Sequence, residues 1–368
     1  MKRKQIVLTN HSKAIAGCIL LAVGFILLIF SRLSQTFSNW YSAGIYPLWV
    51  NSLGRLMNLF PFSVAEVLLY ILVAVVIGTA IRLIVRAIVK KDGKEQAVSW
   101  LLNLFLLGSV LFFLYVLNCG INYNRDSFSE SSGITAENYS PDQLKEVCLW
   151  LTAEINQLSG EMKRDEQGVM VLNGSIDESA ANAMAALGAE YPQLAGYYPR
   201  PKGLLFPSLL SIQHLSGIYL PFTIEANYNG GMTDYNIPFT VCHELSHLRG
   251  FMQEEEANFI AFLACIGSSD EAFQYSGYLS AWSYCMNALY RADYDAWEEV
   301  RDGLSDSALP DLKANREYWV SYDGTVAEVA NQINDTYLKA NGQEDGVTSY
   351  SQMVDLIVGY YQQPREGS

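Results

Sequence analysis

Val241-Cys242-His243-Glu244-Leu245-Ser246-His247-Leu248-Arg249-Gly250-Phe251-Met252-Gln253-Glu254-Glu255-Glu256-Ala257-Asn258 sets two histidines four residues apart, with a glutamate directly after the first. A helix turns once every 3.6 residues, so His243 and His247 project from one face, close enough to grip one metal ion. Glu244 points to the open side of such an ion, where a carboxylate can take a proton from water. Gly250 suits the end of that helix, and Glu254-Glu255-Glu256 opens the next helical run with a carboxylate for a third ligand. Glu254 is the choice ahead of Glu255 and Glu256. It places Asn258 one turn on, where its carbonyl can accept the spare ring N–H of a liganding histidine, and Ala257 lets the two helices approach. The chain has only four histidines, and Phe239, Val241, Cys242, Leu245 and Leu248 make the surrounding face apolar. Half-buried imidazoles on such a face need partners, which a pair of merely solvated histidines would lack.

Charge divides the chain upstream of this motif. Residues 1–119 carry 11 of the 24 Lys and Arg but only 3 of the 38 Asp and Glu, which leaves residues 120–368 with a net charge of −22. An acidic soluble part argues against a nucleic-acid partner, whose phosphates need a basic surface. The first part is strongly apolar. Three runs, at about 15–31, 64–81 and 98–118, are long enough to cross a roughly 30 Å hydrocarbon core at about 1.5 Å per residue. Their basic flanks favour membrane spans over a buried helical hairpin. Lys2, Arg3, Lys4 and Lys13 precede the first run, and Arg82, Arg86, Lys90, Lys91 and Lys94 lie between the second and third. Basic residues stay on the cytoplasmic side, so the expected topology is a multi-pass protein of the cell membrane, with a cytoplasmic N-terminus and residues 120–368 extracytoplasmic.

The connection between the first two runs is expected to hold a helix over about 48–60, lying in the headgroup layer on Trp49, Val50, Leu53, Leu56, Met57 and Phe60. Ser63-Val64-Ala65-Glu66 has the spacing of a capping box at the start of the second span. Beyond the spans, residues 120–368 are expected to form one extracytoplasmic domain, with helices from Pro141, from Asp177, over Glu271–Leu289 and Asp293–Val300, and near the C-terminus. Gly217 to Tyr228 is the best strand candidate. Its β-branched and aromatic residues favour a pleated backbone, and Pro221 suits a sheet edge. An edge strand beside a metal helix is where a peptide pairs in extended form, which makes Tyr219, Phe222, Glu225 and Asn227 candidate substrate contacts. Tyr275, Tyr278 and Tyr284 are candidate donors to an oxyanion. The six cysteines lack metal-type pair spacing and read as small buried hydrophobes.

Glu254-x-x-Ala257-Asn258 after His243-Glu244-x-x-His247 resembles the gluzincin metallopeptidase pattern, although many gluzincins carry aspartate in the place of Asn258. The wider chain resembles the bacterial domain-of-unknown-function 3810 family of three-pass membrane proteins. The features that carry this second likeness are Pro61-Phe62-Ser63-x-x-Glu66, Gly217-Ile218-Tyr219-x-Pro221-Phe222-Thr223-x-Glu225-Ala226-Asn227, Arg249-Gly250 after the metal motif, Glu254-x-Glu256-Ala257-Asn258-Phe259, Tyr275-Ser276 and Gly346-Val347-x-Ser349-Tyr350. The resemblance implies a bacterial envelope protein with a zincin-like soluble domain.

The expected architecture is therefore mainly α: three transmembrane helices, then an α+β zincin-like domain with a short edge-strand sheet. The expected chemistry is hydrolysis of a peptide bond with one zinc ion per chain, held by His243, His247 and Glu254, and with Glu244 as the base. The expected partners are a peptide or protein substrate in the cell envelope and the lipid bilayer. A zinc-binding assembly or sensor module without general proteolysis is the competing reading, and Glu244 speaks against it, because a structural zinc site has no use for a base.

Overall fold

The computed structural model describes residues 2–90, 93–134 and 138–363. The chain is mainly helical, with one small three-stranded sheet among the described residues. Three helices are long and apolar enough to cross a membrane, over Leu8–Leu33, Val64–Val89 and Lys94–Asn124. All three extend beyond the apolar runs that mark them in the sequence. The first and third pack along each other, and Gly17 and Gly24 sit against the rings of Phe105 and Phe112, where a side chain would collide.

The connection between the first two spans differs from the expected helix over about 48–60. It is helical from Gln35 to Met57 and contains two π-helical turns, Tyr41–Ile45 and Val50–Gly54. Pro47 lacks an amide and breaks the regular hydrogen-bond ladder, and the wide turns on either side re-aim the helix. One face, with Tyr41, Tyr46, Val50 and Gly54, is buried against the domain that follows, whereas Trp40, Leu48, Leu56, Leu59 and Phe60 stay exposed. The segment is therefore held between that domain and its surroundings rather than resting on one side only.

The capping box forms by half. Ser63 Oγ accepts from Glu66 N–H at 3.1 Å, but the Glu66 carboxylate accepts from the amides of Leu205 and Phe206 instead of returning to Ser63. The free amides of Val64 and Ala65 donate to Glu225, at 3.0 and 2.8 Å. A carboxylate from the sheet thus caps the second span, where the helix dipole also favours negative charge.

In the domain beyond the spans, Pro141–Ser159 packs along Glu271–Ala292, and the metal-motif helix Asn236–Leu248 packs along Glu254–Ile266. Ser140 and Gln143 make a complete capping box at the start of the first of these. Every residue from Ile237 to Leu248 is buried, so this helix lies in the middle of the core. Phe251, Phe259, Phe262 and Phe273 fill the space around it, each contributing roughly 1.5–3 kcal/mol by leaving water.

The strand expected from Gly217 to Tyr228 is two strands. Lys202–Gly203 (β1), Gly217–Leu220 (β2) and Glu225–Tyr228 (β3) form a sheet in the order β1-β3-β2, with β2 and β3 antiparallel. Pro221 and Phe222 lie in the turn between them, and Ile224 takes a φ of 55° there. Proline cannot continue the ladder, so the chain reverses where the composition alone reads as continuous strand. The result leaves β2 at the edge, alongside the metal-motif helix.

Candidate metal centre

The helix that carries His243 and His247 ends in a Schellman motif. Gly250, at φ 94°, donates to His247 O at 2.9 Å, and Phe251 N–H donates to Ser246 O at 3.1 Å. Only glycine takes that backbone without strain. The reversal brings the Phe251 carbonyl back onto His247, whose Nδ1 lies 2.8 Å from it. That bond places the N–H on Nδ1 and turns Nε2 inward as a free donor atom for a cation. Two residues from outside the domain's own helices secure the same turn. Tyr46 OH donates to Leu248 O at 2.8 Å, and the Arg125 guanidinium lies 3.9 Å over the Phe251 ring and donates to Arg249 O.

The next helix begins at Glu254, and its three glutamates face three ways. Glu254 Oε2 stands 3.1 Å from His243 Nε2 and 3.4 Å from His247 Nε2. Glu255 accepts from Gln343, and Glu256 accepts from the Ser129 amide and hydroxyl. One ligand atom from each of His243, His247 and Glu254 lies within 4.8 Å of the others, and all three residues are buried. Donors about 2.0–2.1 Å from a tetrahedral ion stand ~3.3 Å apart, so the two short separations suit a zinc-sized cation. Asn258 stands near His243, where its side chain favours the protonated ring.

Glu244 is buried next to these groups, and its Oε2 has no hydrogen-bond partner. Burial pushes its pKa up to about 8, and a backbone hydrogen bond from Tyr219 only partly offsets this. Burial alone would depress His247, but the Glu254 carboxylate raises it to about 9. Burial and the neighbouring His247 lower His243. Although burial opposes its charge, Glu254 is held far below the usual carboxylate range by the two imidazoles. The imidazoles and the Glu254 carboxylate thus compensate each other's burial. A divalent ion offers the same compensation to a buried carboxylate and leaves Glu244 a partner for its unpaired oxygen.

The remaining sequence candidates fall into two groups. Gly217 and Tyr219 of β2 adjoin the centre: a Cβ at position 217 would stand 2.5 Å from Glu244 Oε1. The Tyr219 side chain, however, turns away and is buried, with its hydroxyl 2.9 Å from that of Tyr46. Glu225 is not a substrate contact, because it pairs with Lys202 Nζ at 2.5 Å in a buried position and caps the second span. Asn227 is buried in the central strand, where its amide donates to Glu225 O, and Phe222 is exposed in the turn. Tyr275 is also corrected. Its hydroxyl donates to the buried Asp311 at 2.6 Å, in a network with Arg164 that does not border the centre. Tyr278 packs edge-on against Trp150 and Phe262. Tyr284, one to three turns further along the same helix, does line the cavity with His243 and Glu244; it bonds to Asn258, and burial raises it to about 12. Helical phase separates it from the other two, a distinction that a tyrosine-rich helix hides until its neighbours are placed.

All six cysteines are free. His214 lies apart from the metal-type cluster and faces Asp323 at 3.3 Å. Residues 41–358 match the family described as Protein of unknown function (DUF3810). The chain belongs to this family. No curated protein and no solved structure matches it. The matched range starts inside the connection between the first two spans, so it takes in the tyrosine that secures the metal-motif helix as well as most of the domain.

Proposed function

We propose that this protein is a membrane-anchored, zinc-dependent peptidase of the gluzincin type, with its centre on the extracytoplasmic side. The observation that carries the reading is the convergence of three buried donor atoms beside a buried glutamate with one unpartnered oxygen, at the wall of a cavity of about 580 Å³. Zinc bound there would lower the pKa of an attached water towards about 7 and polarise a carbonyl. His243, His247 and Glu254 would hold it, with the Phe251 carbonyl fixing the His247 ring and Asn258 beside His243.

Glu244 is the general base. Water adds to the peptide carbonyl as its proton passes to the Glu244 carboxylate, and the same proton then goes to the departing amine. A peptide N-terminal fragment with a new carboxylate and a C-terminal fragment with a new amine result. The neighbourhood of Gly217 leaves room for this carboxylate and nothing larger, and β2 offers an open backbone edge along which an extended substrate can align. Tyr284 keeps its proton at neutral pH and is the side-chain donor we assign to the developing oxyanion. The basic residues before the first span and between the second and third support this orientation. An assembly or sensor module would not need an open cavity at the ligands.

The test is Glu244→Gln in full-length protein purified in detergent with zinc. Metal content is expected to stay at one ion per chain, and cleavage of a quenched-fluorescent peptide library is expected to fall by a factor of 10³ or more. Parent-like cleavage by Glu244→Gln would remove the proposed base.

A further inference from the structure

The cleft has two arms that meet at His243 and Glu244. The larger is lined mostly by polar side chains, among them Asn236, Asn287, Asn315 and Asn331. The smaller, about 340 Å³, is walled by Ile218, Leu220, Pro221, Phe222 and Met252. Its floor is the outer end of the third span, where Tyr115, Cys119 and Tyr123 line the same space as His243, His247 and Glu254. Cys119 Sγ lies 3.7 Å from Met252 Sδ, so direct side-chain contact joins the span to the loop that leads into the ligand glutamate. Leu117 lies two residues, or ~3 Å of helix rise, before Cys119, and Ile121 beyond it is wholly buried. The apolar arm therefore abuts the C-terminal end of the third span.

A second observation extends this surface. Thr325–Ala340 is a helix whose Asn334 borders both arms and whose Tyr337 walls the smaller one. Its end is tied to two spans: Arg32 donates to Ala340 O at 2.6 Å, and Tyr115 OH donates to Asn341 at 2.7 Å. On the adjoining face Val326, Val329 and Ile333 are 56, 47 and 64 % exposed. Apolar side chains thus run from Glu244 to the C-terminal end of the third span, with a helix fixed to the first and third spans beside them.

We infer that the substrate is itself membrane-anchored and is cut in its extracytoplasmic segment next to its span, with an apolar side chain seated in the smaller arm. This rests on the peptidase reading above. An apolar arm that ends against a membrane-crossing helix suits a substrate held at the membrane, and the polar arm accommodates the residues on the far side of the bond.

The experiment compares new protein N-termini, by terminal-amine labelling and mass spectrometry, in envelopes of host cells that carry either the parent chain or Glu244→Gln. Cleavage sites lost with Glu244→Gln are expected within about ten residues of a membrane span, with an apolar residue beside the bond. Lost sites that lie mainly in soluble proteins, or far from any span, would overturn the inference and leave the peptidase reading intact. If no site is lost, both fall. A second variant, Phe222→Asp at the exposed turn, places a charge in the arm without disturbing the core. It is expected to slow cleavage of the membrane-anchored substrates at least tenfold at unchanged zinc content, and an unchanged rate would contradict the assignment of the arm.

Discussion

Replacing Gly217 by alanine probes the placement of Glu244 without touching any ligand. The added Cβ would stand 2.5, 2.7 and 2.9 Å from Glu244 Oε1, Cγ and Cδ. Ordinary carbon contacts are about 3.5–4.0 Å, so one partner must move by about 1 Å. The strand is poorly placed to yield, because Gly217 is paired with Tyr228 and the following turn is held by Asn229 N–H donating to Ser216 O at 2.8 Å. The helix under Glu244 is buried from Ile237 to Leu248, which leaves the glutamate side chain to turn aside. A displacement of about 1 Å in a reacting group costs on the order of 10²-fold in rate. Gly217→Ala is therefore expected to lower kcat about 10²-fold, to leave KM within a few-fold, and to retain one zinc per chain. Gly160→Ala, where a Cβ meets nothing within 4 Å, serves as the control and should behave as the parent. The assay is cleavage of the quenched-fluorescent peptide library by full-length protein, with zinc measured on the same samples. Full activity in Gly217→Ala, with the thermal midpoint unchanged, would refute the argument that this carboxylate does the chemistry.

Other outcomes follow from the same contacts. His247, raised to about 9 by Glu254, keeps its proton at neutral pH in the metal-free protein, and zinc must displace it. Apparent zinc affinity, measured by chelator competition, is expected to rise about tenfold per pH unit from 7 to 9 and then to level off; a flat profile would contradict the pairing. The sign for the metal-free fold is opposite. The stabilisation from His247 is complete below its ordinary value of 6.5 and is lost as pH climbs through 9, while that from Glu254 is present above 4.5 and is lost as pH falls well below it. Glu225→Gln breaks the buried pair with Lys202 and weakens the cap of the second span, and should cost about 3–5 kcal/mol, read as a lower thermal midpoint. Tyr275→Phe should cost about 1.5–3 kcal/mol of stability through Asp311 and leave kcat unchanged, whereas Tyr284→Phe should lower kcat on the order of 10²-fold at normal stability. An exchange of these two phenotypes would reverse the assignment.

Much of this arrangement was legible because it is local. The i and i+4 histidines, Gly250 at the helix end and Glu254 one reversal later are set by helix geometry and by the left-handed conformation that glycine permits. The spans were legible for the same reason, since apolar length is a property of a single segment. What the sequence hid depends on partners distant in the chain. Glu225 reads as an exposed strand residue until Lys202 and the amides of Val64 and Ala65 are brought to it. Glu66 has the spacing of a capping box, but the amides of Leu205 and Phe206 take its carboxylate. The hairpin between β2 and β3 had a local signal in Pro221, which was outweighed by β-branched and aromatic neighbours. Tyr46 and Arg125, which fix the end of the metal-motif helix, carry no motif, and only the tertiary fold assigns them that role.

The central claim is that His243, His247 and Glu254 hold one catalytic cation. Isothermal titration of metal-stripped, full-length protein with zinc tests it most directly, for the parent and for His243→Ala, His247→Ala, Glu254→Ala and Glu244→Gln. One high-affinity site per chain is expected in the parent and in Glu244→Gln, with its loss in each of the other three. A parent that binds no zinc, or a Glu254→Ala protein that binds it as tightly as the parent, would contradict the account.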